Sequence, residues 1–434
     1  MTVALPAHES GSVNARPKEG IRPPLLFLCH RIPFPPNKGD KIRAFHLLKH
    51  LSQHFEIYLA SFVDDPQDWQ WSVELEKLCS AVFLRPLNTQ AATLRSLWGL
   101  ISREALSIPY YTDFRLRNWV RRCVIDQDIR HALVFSSQMA QFLPDDEHDF
   151  RRKVIDFVDV DSEKWEQYSQ HKPWPLNWIY AREASALFSL EKELAEKFDA
   201  GLFVSRSEAD LFKQLSPSTA HKVSFYNNGV DSDYFDPMFE HDSMAANPFS
   251  PDELPLVFTG AMDYWPNVEA VLWFARVVFP VLQKVHPNIS FTIVGGNPDK
   301  SVQLLSNIDG ISVTGKVADV RPYLKYARAA IAPMRIARGV QNKVLEAMSM
   351  ARPVIVSEKG LEGIDATDRL EVLVAESAED YVVTVNELLD GQHNSVGEMA
   401  RSCVRRRFCW DDNLPEVVLL LEESENTFRQ EYEQ

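Results

Sequence analysis

The sequence predicts an α/β protein built from two doubly wound parallel sheets, and three observations carry that prediction. Short apolar runs recur along the chain with helix-length segments between them, the pattern of strand–helix–strand crossovers. At 434 residues the chain exceeds one ordinary hydrophobic core, so two domains are expected. A polar, proline-containing segment separates two series of such runs. It extends from Asn228-Gly229 through Asp236-Pro237 to Glu253 and reads as a domain boundary.

In chain order, the first twenty residues are polar without an apolar core and read as a disordered tail, not a signal peptide. Leu25 to Cys29 is a short buried strand. The loop that follows contains Pro33, Pro35 and Pro36, which bar regular structure, and Lys38-Gly39-Asp40 turns the chain into a helix. Ile42, Phe45 and Leu48/Lys49 fall near helical spacing, with Arg43 and His46 toward a neighbouring face. A charged, glycine-containing loop at the end of a first strand is a candidate ligand loop. Phe55 to Ala60, Ala81 to Leu84, His131 to Phe135, Lys153 to Phe157 and Gly201 to Val204 read as further strands, with a long helix over about 177–198.

Two stretches of this half stand out chemically. Between Arg85 and Arg130, eight arginines (85, 95, 103, 115, 117, 121, 122 and 130) face only Glu104, Asp113, Asp126 and Asp128. Leu94, Leu97, Trp98, Leu100, Ile101, Tyr110, Tyr111 and Trp119 are interleaved with them. In an acidic protein such a segment is a candidate contact for anionic lipid or a pyrophosphate-bearing ligand, against the plainer reading of helices with a solvated face. The run Asp156 to Ser162 offers three aspartates, but no supporting histidine and no twelve-position calcium pattern, so hydroxyl binding or helix capping is the better expectation.

The second half repeats the alternation with strands at 256–260, 291–296, 311–315, 329–334 and 353–357. Gly260, Gly295-Gly296 and Gly315 stand at their carboxyl ends, where such sheets place ligands. No GxGxxG and no GxxxxGK[ST] motif is present, which disfavours an ordinary dinucleotide fold and a P-loop hydrolase. The most informative stretch runs from Ala329 to Ser357. A buried strand leads to a polar loop with Gly339, then to a helix from about Val340 to Met350, then to another strand. Val340, Val344 and Met348 share one face of that helix, while Lys343, Glu346 and Met350 lie on a different stripe. Gly339 permits close backbone approach, and the free N–H groups of the next turn suit phosphate. The helix thus offers an anion seat at its start and a carboxylate a turn further in. An ordinary crossover with a surface Lys–Glu pair is the alternative.

The formal charge of −15 argues against a general nucleic-acid binder, and an apolar share of 45% describes a globular chain. Five scattered cysteines without CxxC spacing indicate neither a disulfide framework nor a zinc site, and fit a reducing, cytoplasmic compartment. No apolar stretch is long enough to span a bilayer, which leaves peripheral contact with the inner membrane face.

The loop PPNKGDKIR, NNGVD at 227–231, FTGAMDYWPN at 258–267, VTG at 313–315 and GVQNKVLEAM at 339–348 together resemble the GT-B glycosyltransferases of family 4. The resemblance covers about residues 24 to 415. It is closest to the sugar transferases of exopolysaccharide assembly associated with the exosortase/PEP-CTERM system. It implies two Rossmann-like domains facing across a cleft and a C-terminal helix crossing back to the first. The corresponding divisions are a tail at 1–22, an acceptor-binding domain at 23–228, a nucleotide-sugar domain at 229–405, a crossover helix at 406–421 and an acidic tail at 422–434.

The resemblance implies a retaining transferase that uses a nucleotide-sugar donor, a saccharide or lipid-pyrophosphate-linked acceptor, no cofactor and no metal. The family's Glu-x7-Glu element aligns with positions 338 to 346. Glu346 takes its second place, for the ribose, while Arg338 stands where the first glutamate contacts the donor sugar. Relatives often carry an Arg and a Lys beyond the Gly260 strand. This chain has none there, which leaves Arg335, Arg338 and Lys343 to neutralise the leaving diphosphate. Gly260, Met262, Gly295, Gly315, Gly339, Val340, Gln341 and Asn342 are the implied donor contacts. On the acceptor side the candidates are Asn37, Lys38, Gly39, Asp40 and Arg43, with Asp159 and Asp161 beside them. A nucleotide-sugar epimerase or hydrolase on the same fold is one competing expectation. A degenerate, glycan-binding assembly protein is the other, motivated by Arg338 and the missing cations.

Overall fold

The computed structural model describes residues 22–36, 38–102, 104–144, 149–170, 173–238, 247–337 and 339–422. The tails assigned to 1–22 and 422–434 fall almost wholly outside the described residues, as do Asn37 and Arg338. The chain divides into two compact units. One comprises Met1–Phe203, Phe212–Ser224 and Glu416–Gln434, the other Val204–Leu211 and Phe225–Pro415.

The first unit is built on a seven-stranded sheet. Its strands are β1 (Pro24–Cys29), β2 (Glu56–Val63), β3 (Ala81–Pro86), β4 (His131–Phe135), β5 (Arg152–Val158), β6 (Ala200–Phe203) and β7 (Val223–Phe225), in the order 3-2-1-4-5-6-7. Leu25 to Leu28 are completely buried, as a strand covered on both faces by crossover helices must be. The order reverses between β1 and β4, so this unit's ligand position is at their carboxyl ends.

The Gly39–His54 helix follows β1, but its buried face differs from the expected one. Ala44, Leu47, Leu48 and Leu51 face the core, while Lys49 is exposed and Phe45 turns to the preceding loop, 5.1 Å from Phe34 between ring centroids. Arg43 lies in the same buried face. Its Nε donates to Asp156 Oδ2 at 2.9 Å and its Nη2 to Asp156 Oδ1 at 3.2 Å, and both side chains are 0% exposed. At the end of β5 the register against β6 shifts, and Val158 takes φ +71°, a left-handed conformation that a β-branched residue adopts only under constraint. The N–H of Val158 donates to Asp156 Oδ1 at 3.0 Å, which ties the strained turn to the Arg43 pair.

The second unit carries a six-stranded sheet. Its strands are β8 (Leu254–Thr259), β9 (Ile289–Val294), β10 (Ile311–Gly315), β11 (Ala329–Ala332), β12 (Val354–Val356) and β13 (Leu373–Val374), in the order 10-9-8-11-12-13 with all pairs parallel. The sequence reading did not anticipate β13, because two residues carry no periodicity. The strand expected to reach Met334 stops at Ala332, since Pro333 has no N–H to give a ladder. The key helix runs Asn342–Ser349, and its Val344 and Met348 are buried against the sheet together with Val257 and Val356. Between β8 and β11 the order reverses, which places the second ligand position beside the start of this helix.

Candidate active site

In the second unit the glycines at the strand ends make a close-packed backbone floor. Gly260 follows β8 with φ +152°, and a Cβ on Gly295 would lie 1.7 Å from the Gly260 carbonyl oxygen. No side chain other than hydrogen fits there. The Gly295 N–H donates to Gly315 O at 3.2 Å, and Gly315, at φ +69°, has open space on its Cα. Met262 does not belong with the ligand contacts. Its side chain is completely buried in the core of this unit and only its backbone takes part, the N–H donating to Gly296 O at 3.0 Å.

Gly339, at φ +67°, turns the chain into the Asn342–Ser349 helix. The Gln341 Nε2 donates back to Gly339 O at 3.1 Å, and Val340 is half-buried against the core. Asn342 Oδ1 is buried and accepts no hydrogen bond from the described residues. Lys343 extends beneath the Gly260 turn. Its Nζ donates to Asn267 Oδ1 at 2.8 Å and to Gln341 Oε1 at 3.2 Å, and lies 5.3 Å from the Phe258 ring centroid. These partners are all uncharged, so burial brings the ammonium down to about 8, with the charge of Glu346 opposing it. Burial likewise pushes the Glu346 carboxyl up to about 7, against the pull of Lys343. Arg335 is the more exposed cation, 59% of its side chain being accessible, and its Nη1 is held by Glu269 Oε1 at 3.1 Å.

Asn267, Glu269 and Tyr234 enter this site without having been anticipated. Asn267 fixes both Lys343 and the Gly260 turn, donating from Nδ2 to Ala261 O at 2.9 Å. Tyr234 lies under the Arg321 guanidinium at 3.9 Å and feels the charges of Asp319 and Glu346. The NNGVD and WPN strings do carry Tyr234 and Asn267 nearby, but only the fold shows what they reach.

In the first unit Lys38 and Gly39 are exposed at the helix start, and Asp40 is half-buried behind them. Asp40 Oδ2 accepts from Arg31 Nη1 at 2.6 Å and lies 3.3 Å from His30 Nε2, while Arg31 Nε reaches Asp64 Oδ2 at 2.9 Å. Burial alone would raise the Asp40 carboxyl, but the hydrogen bond from His30 and the charge of Arg31 hold it well below the usual carboxylate range. Arg43 is not available to an acceptor. Its guanidinium is consumed by Asp156 and the Phe203 carbonyl inside the core, and its contribution is to the frame. Asp159 sits half-buried in the turn after Val158, and the Asp161 carboxyl is pushed up by burial, with the charge of Lys164 pulling the other way. Behind them Glu191, 1% exposed, accepts from Ser162 Oγ at 2.6 Å and Ser162 N at 3.1 Å, and burial raises it to about 8. Among the described residues no group of three or more His, Cys, Asp or Glu side chains is placed to hold a metal ion.

The segment 85–130 divides its aromatic and basic residues between inside and outside. Trp119 stacks on Phe83 at 5.1 Å, Tyr111 meets Phe62 and His30, and Arg85 pairs with Asp113 at 3.1 Å. Leu94, Leu97, Trp98 and Phe114 remain exposed, Trp98 by 69%, and Arg115, Arg117, Arg121 and Arg122 are exposed on the Phe114–Asp126 helix. Among the described residues no helix is long and apolar enough to cross a membrane.

Comparison with known proteins bears on the fold and on the second unit. Residues 253–391, which hold the glycine floor, Lys343 and Glu346, match the family described as glycosyl transferases group 1. A search of curated proteins by sequence finds no match. Among solved structures, Anabaena HepE in complex with UDP and glucose is similar, with a TM-score of 0.62 at 12% identity over 91% of this chain and 98% of that one. The sucrose-phosphate synthase of Thermosynechococcus elongatus gives 0.66 at 15% identity over 92% and 98%. WaaG, a glycosyltransferase involved in lipopolysaccharide biosynthesis, gives 0.63 at 13% identity over 92% and 100%. At such identities the likeness is one of fold. The chain therefore has the GT-B fold of two Rossmann-like units, and its residues 253–391 match the glycosyl transferases group 1 family.

Proposed function

We propose that this protein is a retaining glycosyltransferase that moves a sugar from a nucleotide-sugar donor to a saccharide acceptor, lipid-linked through pyrophosphate, in exopolysaccharide assembly. The observation that carries the reading is Lys343. It is a half-buried cation at the start of the Asn342–Ser349 helix whose hydrogen bonds go to uncharged groups, beneath a turn built of glycines. A diphosphate is the ligand that such a charge and such a backbone floor suit. Glu346, one turn on, accepts the ribose hydroxyls. Arg335 is already neutralised by Glu269, so Lys343 carries the stabilisation of the departing diphosphate, helped by the amides after Gly339.

The chemistry assigned to these groups needs no metal and no cofactor, because the ammonium supplies the positive charge that a cation would otherwise bring. The leaving phosphate takes the acceptor proton on the face from which it departs, so the anomeric configuration is retained without a protein nucleophile. Acceptor binding belongs to the loop of Lys38 to Asp40 and the turn with Asp159 and Asp161. The exposed Leu94, Leu97, Trp98 and Phe114, next to the arginines of the Phe114–Asp126 helix, fit peripheral contact with an anionic membrane, where a lipid-linked acceptor resides.

The test is a panel of UDP-, GDP-, dTDP- and ADP-sugars, each with and without lipid-pyrophosphate-linked saccharides, followed by mass spectrometry of nucleotide and lipid. Acceptor-dependent extension is expected. Nucleotide release or an altered sugar without extension would instead identify a hydrolase or epimerase. Binding that depends on Glu346 without turnover would identify a degenerate, glycan-binding protein. Lys343→Ala should lower turnover while the protein stays folded, and an unchanged kcat/KM would remove Lys343 from its role.

A further inference from the structure

We propose that His30 holds a hydroxyl of the acceptor saccharide through its Nδ1 atom, with Asp40 fixing the ring so that this nitrogen is the one presented. The proposal rests on the transferase reading above and names a residue that reading did not include. His30 follows β1 directly, and its ring lies parallel to Phe135, the last residue of β4, at 6.0 Å and 5°. It therefore spans the β1–β4 boundary where the strand order of this sheet reverses. Tyr111 meets the ring edge-on at 6.1 Å, so two aromatic side chains set its orientation.

The two ring nitrogens have different surroundings. Nε2 faces Asp40 Oδ2 at 3.3 Å, and a carboxylate there favours the proton on Nε2. Nδ1 then keeps its lone pair, yet it is buried and has no hydrogen-bond partner among the described residues. Arg31 links Asp40 to Asp64, and Asp64 Oδ1 is likewise buried without a partner. Buried polar atoms are satisfied in the working state of a protein, and both of these atoms accept. What satisfies two acceptors on one cluster is a ligand with neighbouring donors, which the hydroxyls of a sugar ring provide. A phosphate, which brings acceptors only, does not.

The groups that face His30 are compatible with this assignment. Asp40 belongs to the Gly39–His54 helix, Asp161 to the Asp161–Gln170 helix, and Arg31 to the same loop. The side chain is 13% exposed, so His30 is a wall of the position rather than a surface residue.

Three variants of the full chain separate contact from scaffolding. In His30→Asn the amide oxygen takes the place of Nδ1 and the contact to Asp40 is lost. In His30→Gln the amide reaches Asp40, while nothing stands where Nδ1 was. His30→Ala removes both. The acceptor is a short-chain polyprenyl pyrophosphate carrying one or two sugars, at saturating nucleotide sugar, with nucleotide affinity measured separately by calorimetry. We expect the Ala and Gln variants to raise the acceptor KM tenfold or more with nucleotide affinity unchanged, and the Asn variant to recover most of that loss. Recovery by Gln and not by Asn would show that His30 only braces Asp40. A wild-type KM in all three would show no contact. If the Ala variant fails to fold, the Asn and Gln variants still decide between these outcomes. Failure of the transferase reading appears differently, as a wild type that extends no acceptor, and it would overturn this proposal with it.

Discussion

Proton exchange on donor binding gives the sharpest test of the Lys343–Glu346 pair. Lys343 lies near 8, so about half of it is charged at pH 8 and about a quarter at pH 8.5. A diphosphate charge about 4 Å away is worth about 4 kcal/mol at an effective dielectric near 20, enough to raise the ammonium by about three pH units. Binding at pH 8.5 should therefore take up roughly 0.7 of a proton. Glu346 behaves in the opposite sense. It lies near 7, and ribose hydroxyls that donate to it favour the carboxylate, so binding at pH 7 should release a proton fraction of roughly 0.4. The sign of the exchange thus reverses between pH 7 and 8.5.

Calorimetry in buffers of different ionisation enthalpy reads this directly. A nucleotide sugar is the ligand to use, because its doubly esterified diphosphate does not titrate in this range. Lys343→Met should abolish the uptake and weaken binding by about 1.5–3 kcal/mol, the range for a hydrogen bond to a charged group. Glu346→Gln should abolish the release. Uptake at pH 8.5 that persists in Lys343→Met, or wild-type binding with no exchange at either pH, would refute the assignment.

Four other outcomes follow from the geometry. Arg335→Ala should weaken nucleotide binding less than threefold by calorimetry, because its partner Glu269 already cancels the charge. Arg43→Met should cost about 3–5 kcal/mol in urea denaturation by leaving Asp156 buried and unpaired. The double change to Arg43→Leu and Asp156→Leu should recover much of that loss. Gly295→Ala should unfold or insolubilise the second unit, while Gly296→Ala should be tolerated, because the added methyl meets the Gly260 oxygen at 1.7 Å in one case and Lys316 Cβ at 3.7 Å in the other. Thermal unfolding compares the two. Glu191, raised to about 8, contributes stability that is complete below its ordinary value near 4.5 and lost as pH rises through 8. Wild-type unfolding free energy should therefore fall by up to about 5 kcal/mol across that window, and Glu191→Gln should flatten the fall.

The candidate site of the second unit could be placed on its strands and helix from the sequence because its determinants are local. Gly260, Gly295 and Gly315 sit within or directly after their strands, Gly339 lies in the loop just before the Asn342–Ser349 helix, and Lys343 and Glu346 lie on that helix, so each is marked by its own local pattern. Met262 was misplaced for the same reason. Proximity to Gly260 in the chain says nothing about which way a side chain turns, and this one turns into the core. On the acceptor side the determinants are not local. Arg43 and Asp156 are 113 positions apart, and only their pairing shows that the arginine braces the frame. His30, Arg31 and Asp64 met no motif, since what defines them is one carboxylate shared from the next helix and one arginine that bridges two strand ends.

The two halves therefore prepare for their ligands by different means. At Lys343 a cation is kept among uncharged partners, so its charge is available to whatever anion arrives, and the low value near 8 is the mark of that arrangement. Arg335 shows the contrast within the same unit, because a cation already matched to a carboxylate has little attraction left for a phosphate. In the first unit one cation, Arg31, is shared between the two carboxylates of Asp40 and Asp64, so the cluster keeps a negative charge that repels an anion. What that cluster retains are two acceptor atoms in fixed positions, His30 Nδ1 and Asp64 Oδ1. An unmatched cation selects for an anion, and a negatively charged cluster with unused acceptors selects for hydroxyls. On the proposed reading, that difference suits a nucleoside diphosphate at the second unit and a neutral saccharide at the first.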